Sequence, residues 1–244
     1  MDQKNRTILV LAIAVTVFAA VFVSLGLPAL TGRAPEVVLP DVNQEAVSTE
    51  GRDFLPVEVR PDTVQSVIVS LSRPESYYRQ LTVRLFWAGG SSADPVEIWA
   101  DGGYVRTAIT TGGSTQYRLV GEGKLRLWYA GDRAWQEVDA GDDTADLAQR
   151  IPTYEDVLEL DPEDITDAGF VIRDSVPCIY VEVSAPGGER VDRYWISVES
   201  GLLISSETLE GEELLYRMTA YSPIQSCPSG TTFQLPDGTV LHSI

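Results

Sequence analysis

Histidine is almost missing from this chain of 244 residues: His242, close to the C-terminus, stands alone. A Ser-His-Asp arrangement or a multi-histidine zinc site needs histidine inside the fold, and the last residues of a chain are expected to fray. Cysteine is scarce too. Cys178 and Cys227 are the only two, and neither belongs to a CxxC motif. Basic residues number 18 against 36 acids, a net charge of −18. From Pro61 onward there are 29 acids and 13 bases, a net −16. Such a surface repels phosphate backbones, which excludes nucleic acid as a partner. The glycine-rich Thr111-Gly112-Gly113-Ser114 lacks the lysine and spacing of a phosphate loop and is expected to be a hairpin turn. Asp161, Glu163, Asp164 and Asp167 lack the spacing and glycine of an EF-hand, so capping and a solvated turn are expected rather than a metal. Asp139, Asp142, Asp143 and Asp146 read as an exposed loop or a patch for a partner. No nucleophile–base pair emerges. The expectation is no catalytic residue, no metal and no cofactor.

What the chain does have is one long apolar run. Ile8 to Leu27 carries no charge for twenty residues. At 1.5 Å per residue these span about 30 Å, the hydrocarbon thickness of a bilayer. Lys4 and Arg6 precede the run, opposed only by Asp2. The expected topology is a single-pass anchor in the cell membrane, N-terminus cytoplasmic and remainder outside. A signal peptide cut after Gly26 is the alternative, although the run exceeds the usual apolar core of such peptides. Residues 1–30 are thus read as cytoplasmic N-terminus and membrane helix, 31–60 as a proline-bearing tether, and 61–244 as the folded domain. In an oxidising compartment Cys178 and Cys227 are expected to pair, closing a loop of about 50 residues worth about 4 kcal/mol on the chain-entropy model. Two buried thiols or a bond between chains are the other options.

The domain opens with a helix. Val64, Val67, Ile68 and Leu71 fall on one stripe, and Pro74 ends it. The period then changes to two. Leu81 to Trp87, Val96 to Ala100, Tyr104 to Ile109, Gln116 to Val120, Lys124 to Tyr129 and Ala134 to Val138 read as an antiparallel meander. One or two short helices follow, marked by Leu147, Ile151, Tyr154, Val157 and Leu158. Strands return over Gly169–Arg173, Cys178–Val183, Val191–Val198, Leu202–Leu209, Leu214–Tyr221 and Thr232–Leu235. Most strands have one apolar and one polar face, the pattern of an antiparallel sheet covered on one side only. The fold class expected is α+β, mainly β: one strongly curved, unclosed antiparallel sheet with two helical segments in its hollow.

The order of these elements, and several segments, resemble the LolA-like family of outer-membrane-lipoprotein carriers and sorting proteins. Arg193-Tyr194-Trp195-Ile196-Ser197-Val198-Glu199-Ser200-Gly201-Leu202-Leu203 is similar to that family's W-I-D-x-x-T-G-L-P hairpin. Leu209-Glu210-Gly211-Glu212 is similar to its acid-rich strand exit, and Thr232-Phe233-Gln234-Leu235-Pro236-Asp237-Gly238-Thr239 to its closing F-x-L-P-x-G. The resemblance extends to GerS-like germination lipoproteins and to the sensor domain of the anti-sigma partner RseB/MucB. It implies an unclosed barrel with a helical lid over an apolar cavity. The membrane run departs from the soluble carriers and the lipidated germination proteins, which puts shuttling between membranes in doubt but not binding while tethered.

The resulting expectation is a tethered binding domain for a lipid, an acylated protein or a protein segment. Val64, Val67, Ile68 and Leu71 would form the lid, and Val83, Leu85, Trp87, Trp99 and Trp195 the cavity wall. The alternative is a ligand-free module that binds an envelope protein or acts as a regulator in envelope or spore germination biology.

Overall fold

In the computed structural model, residues 58–140, 151–184, 187–221 and 224–244 are described. The expected membrane run, most of the tether and the acidic residues Asp142, Asp143 and Asp146 lie outside them. Among the described residues no helix is long and apolar enough to cross a membrane. Helix α1 (Val64–Ser70) comes first. A meander follows: β1 (Tyr77–Trp87), β2 (Gly90–Asp101), β3 (Tyr104–Thr111), β4 (Ser114–Gly121), β5 (Lys124–Tyr129) and β6 (Gln136–Asp139). Helix α2 (Tyr154–Leu158) and a 3-10 turn (Pro162–Asp164) separate it from a second meander. That comprises β7 (Ile165–Arg173), β8 (Val176–Ser184), β9 (Arg190–Ser197), β10 (Leu203–Glu210) and β11 (Glu213–Ala220). Strands β12 (Thr232–Gln234) and β13 (Val240–Ser243) close the chain.

The two meanders make one eleven-stranded sheet in the order β6-β5-β4-β3-β2-β1-β11-β10-β9-β8-β7. Strands β1 and β11 stitch the halves together, with Leu81 opposite Ala220 and Leu85 opposite Tyr216. The ends, β6 and β7, do not pair with each other, so the curved sheet stays unclosed. Tight turns make the meander possible. Gly112 and Gly113 between β3 and β4 have φ of +58° and +85°, the left-handed pair that a two-residue hairpin requires. Strand β2 starts six residues earlier than alternation predicts, because Gly90 already opposes Trp87. Pro95 sits in it without breaking the ladder. It opposes Thr82 of β1, while β3 begins pairing only at Val96, so no neighbour needs its missing N–H.

Both helices lie on one face of the sheet, as expected. Val64 and Ile68 of α1 and Val157 of α2 are fully buried against Leu81, Val83, Val96, Ile98, Ile179, Val181, Tyr194, Ile196, Leu203, Tyr216 and Met218. These helices are too short to persist alone, and side chains fasten them. Gln65 Nε2 donates to the carbonyls of Val157, Leu158 and Leu160, satisfying the end of α2. Thr153 and Asp156 form a capping box at its start. Asp161 accepts from Glu163 N–H, the capping role expected of that acidic stretch.

The opposite face is not bare, which corrects the one-sided cover expected from alternation. Strands β12 and β13 pack there over the first meander, where Phe233 and Leu235 form a second core with Leu119 and Trp128, flanked by Trp99, Tyr104, Tyr117 and Leu241. The C-terminus is therefore held rather than frayed. His242 pairs across β12–β13 with Phe233, stacks on Tyr104 at 5.1 Å, and its Nε2 lies 2.6 Å from Asp101 Oδ2. Alternation missed this because only four residues form β13.

The expected bond between Cys178 and Cys227 is absent: both thiols are free and buried. Topology keeps them apart. Cys178 lies on β8, its thiol donating to Val176 O. Cys227 follows Gln225, which bridges Tyr78 of β1. Four strand spacings of about 4.8 Å separate β1 from β8, far beyond the roughly 7 Å that a disulfide tolerates between Cα atoms. Burial pushes the Cys178 thiol pKa up, keeping it in the unreactive form.

The hydrogen bond from His242, and a second from Ser76, hold the Asp101 carboxyl below the ordinary carboxylate range. A depressed folded pKa contributes stability above the unfolded value, and that contribution is lost as pH falls through the folded one, below about pH 4. Wild-type protein is accordingly expected to lose stability over that window more steeply than Asp101→Asn. Parallel slopes in acid titrations of the unfolding midpoint would refute the latch.

Candidate functional site

A cleft of about 620 Å3 opens where the α1–β1 connection meets the strand ends of the second meander. Its walls are mostly apolar, with Pro74, Tyr77, Val176, Ile204, Ala220 and Ile224 among them, set among hydroxyls that include Ser76, Ser205 and Thr219. The volume suits a small ligand or one end of a long one. The cleft arises where strand pairing changes. Strand β11 ends at Ala220; Tyr221 N–H still donates to Gln80 O, and the next bridge to β1 is made by Gln225.

Two guanidinium groups are part of the cleft wall. Arg73 follows α1 and closes that helix, donating through Nη2 to Ile68 O at 2.6 Å and through Nη1 to Leu71 O. Its Nε donates to Gly201 O in the β9–β10 turn, and the group lies 3.6 Å from the Tyr154 ring centre in α2. One side chain thus joins α1, α2 and the sheet while lining the cleft. Burial, then a hydrogen bond with Glu155, pushes the Tyr154 pKa up to about 12, so that hydroxyl stays protonated at neutral pH. Arg173, at the end of β7, lies 2.9 Å from Glu207 and 3.7 Å from the Trp195 ring centre.

Beside Tyr77 lies a buried charge. Arg79 shares the apolar face, since it opposes Ile98, and is only 4% exposed. Its Nη1 donates to Leu203 O at 2.8 Å, while its Nε has no partner. Burial pulls its pKa below the ordinary guanidinium value, opposed by Tyr77 and Glu155. Burial likewise raises the pKa of Tyr77. The chain's one histidine is held by Asp101 and does not line the cleft. Among the described residues no three potential metal ligands gather.

The residues expected to make lid and cavity divide into two sets. Val64, Val67, Ile68, Leu71, Val83 and Leu85 come together on the helix side, and there they pack against one another. Trp87, at the end of β1, is 56% exposed. Trp99 and Trp195 face the other way. Trp99 lies 5.3 Å from Tyr78 in the hairpin-covered region, with Arg106 4.3 Å over its ring. Trp195 packs at 5.3 Å on Tyr180. Sequence reasoning missed the cleft itself. The Arg73-Pro74 helix stop and the Tyr77-Tyr78 pair were the available signals, but strand ends that converge from far apart in sequence carry no local signature.

No family model matches the chain, and no curated protein does. Solved structures similar to it include a LolA superfamily protein from Nitrosomonas europaea, at 9% identity over 68% of this chain and 93% of that one, with a TM-score of 0.33. LprF from Mycobacterium bovis is similar at 12% identity over 73% and 95%, TM-score 0.34. A DUF1329 family protein from Desulfovibrio piger is similar at 10% identity over 68% and 90%, TM-score 0.33. Likenesses at this level carry no argument about a ligand.

Proposed function

We propose that this chain is a binding domain without chemistry of its own, tethered outside the cytoplasm by Ile8–Leu27, and that it holds the apolar part of a lipid, an acylated protein or a protein segment. The observation that carries the reading is the mostly apolar cleft of about 620 Å3 with the helix clasp Arg73 in its wall. An apolar chain entering beside Pro74, Tyr77, Ile204 and Ala220 gains about 25 cal/mol for each Å2 withdrawn from water. It also competes with Arg73 for space. Release of that side chain from Gly201 frees α1, and the stripe of Val64, Val67, Ile68 and Leu71 with it. Cleft and lid then act in sequence. The family-like segments around Trp195 and Phe233 support the same reading.

The packed helix side favours a second reading, a ligand-free module for an envelope protein partner, because Val64, Ile68 and Val157 leave no surface exposed there. Ala220→Trp separates the two by filling the cleft. Full-length protein in detergent is expected to bind a fluorescent long-chain fatty acid, and the variant to bind it at least tenfold more weakly. Native mass spectrometry of the wild type is expected to show a retained lipid. A wild type that retains none and does not bind the probe sinks the first reading and leaves the second.

A further inference from the structure

Packing leaves one charge beside the cleft unsatisfied. The Arg79 side chain is buried, and the acceptor it has found is neutral, the Leu203 carbonyl at 2.8 Å from Nη1. Its Nε is sealed from water and has no partner. Among the described residues no carboxylate pairs with it; Glu155 of α2 acts on it from a distance. A guanidinium does not shed its proton, so burial cannot be relieved by neutralising the group. An uncompensated buried cation is strongly destabilising, and an anion that reaches it recovers that cost. Two neighbours connect this charge to the cleft. Tyr77, two residues earlier on the same face of β1, lines the cleft with its ring centre 5.9 Å from the guanidinium carbon. Leu203 precedes Ile204, another wall residue. The unpartnered nitrogen therefore lies one side chain behind the cleft, screened by Tyr77. Arg73 and Arg173, in the wall itself, are already engaged with backbone carbonyls and with Glu207.

We propose that Arg79 is the head-group subsite of the cleft, and that the ligand is a single-chain amphiphile ending in a carboxylate, one oxygen of which accepts from Arg79 Nε once the Tyr77 ring swings aside. This rests on the reading of the cleft as a lipid site and names the class of lipid. One negative charge matches the one unpaired positive charge. A doubly charged phosphate is disfavoured, because Asp174 and Glu199 also line the cleft and the chain carries a net charge of −18. The apolar chain of the ligand lies along Pro74, Ile204 and Ala220, and the mostly apolar wall selects it over an acidic peptide. A charge-assisted bond made away from water is far stronger than one at the surface, so the head rather than the tail sets the preference.

Binding of palmitic acid, its methyl ester and hexadecanol to the full-length protein in non-ionic detergent tests it. The wild type is expected to bind the acid at least roughly tenfold more tightly than either neutral form, the order expected of a bond to a charged group. Arg79→Met removes the charge and keeps an unbranched side chain. It is expected to bind the acid at least roughly tenfold more weakly, so that the preference over the alcohol disappears. Equal binding of acid and alcohol by the wild type overturns the head-group assignment and leaves the cleft reading standing. So does an Arg79→Met protein that keeps the preference, or a lysophosphatidic acid bound more tightly than the fatty acid. The comparison within the wild type decides the matter even where the variant does not fold. A wild type that binds none of these probes sinks the cleft reading, and the head-group assignment with it.

Discussion

Replacing Gly201 by alanine is expected to destabilise the domain by about 2–4 kcal/mol, through left-handed backbone strain and overpacking together. Gly201 turns β9 into β10 at φ +65°, and a Cβ there would stand 2.7 Å from both Ser72 O and Arg73 Cγ. The backbone carbonyl cannot give way without moving the α1–β1 connection, and Arg73 cannot give way without losing its bond to Gly201 O. Gly211 is the control. It turns β10 into β11 at φ +59°, yet a Cβ would meet nothing within 4 Å. Gly211→Ala carries the backbone strain alone, about 1–2 kcal/mol. Urea unfolding of the two variants measures the difference. Equal losses would mean that the clasp is not seated on the turn, and the proposed coupling between cleft and lid would lose its anchor.

Phe233→Ala is expected to cost about 3–5 kcal/mol, the usual range for emptying a fully buried phenylalanine site. Phe233 has no exposed surface and lies 6.0 Å from Tyr104 and 5.4 Å from His242. The β12–β13 hairpin has few other anchors: Leu235 and Leu241 in the same cluster, the bond from Arg106 Nη1 to Thr232 O, and the His242–Asp101 contact. An isolated two-stranded hairpin is marginal in water, so losing its aromatic plug should free it. Hydrogen exchange is expected to show lost protection over 232–243, with protection retained in β8–β11. Retained protection across the hairpin would show that the polar contacts suffice.

Both results bear on how far the sequence could be read. The strand meanders were legible because alternation with period two is imposed residue by residue, and turn glycines such as Gly112-Gly113 mark each reversal. The α1 stripe was legible for the same local reason, and it does face the core. Strand position and large apolar rings let Trp99 and Trp195 be read either as core packing or, with the cavity that the resemblance implies, as its wall. Register places them on the other face, because Ile98 and Ile196, their immediate neighbours, take the core positions. A tryptophan packs on either face when something covers both, and the cover over Trp99 comes from a hairpin more than 130 residues away.

Composition and periodicity alone determined a mainly β domain of strong negative charge, opened by an amphipathic helix and poor in the residues that catalysis commonly uses. Only the tertiary structure decided which face each tryptophan takes, that the two cysteines stay apart, that His242 is anchored, and where the cleft lies. Periodicity is a property of neighbours in the chain, whereas a cleft, a thiol pair or an anchored terminus depends on distances between segments. Strand order sets those distances, and no stretch of residues records it.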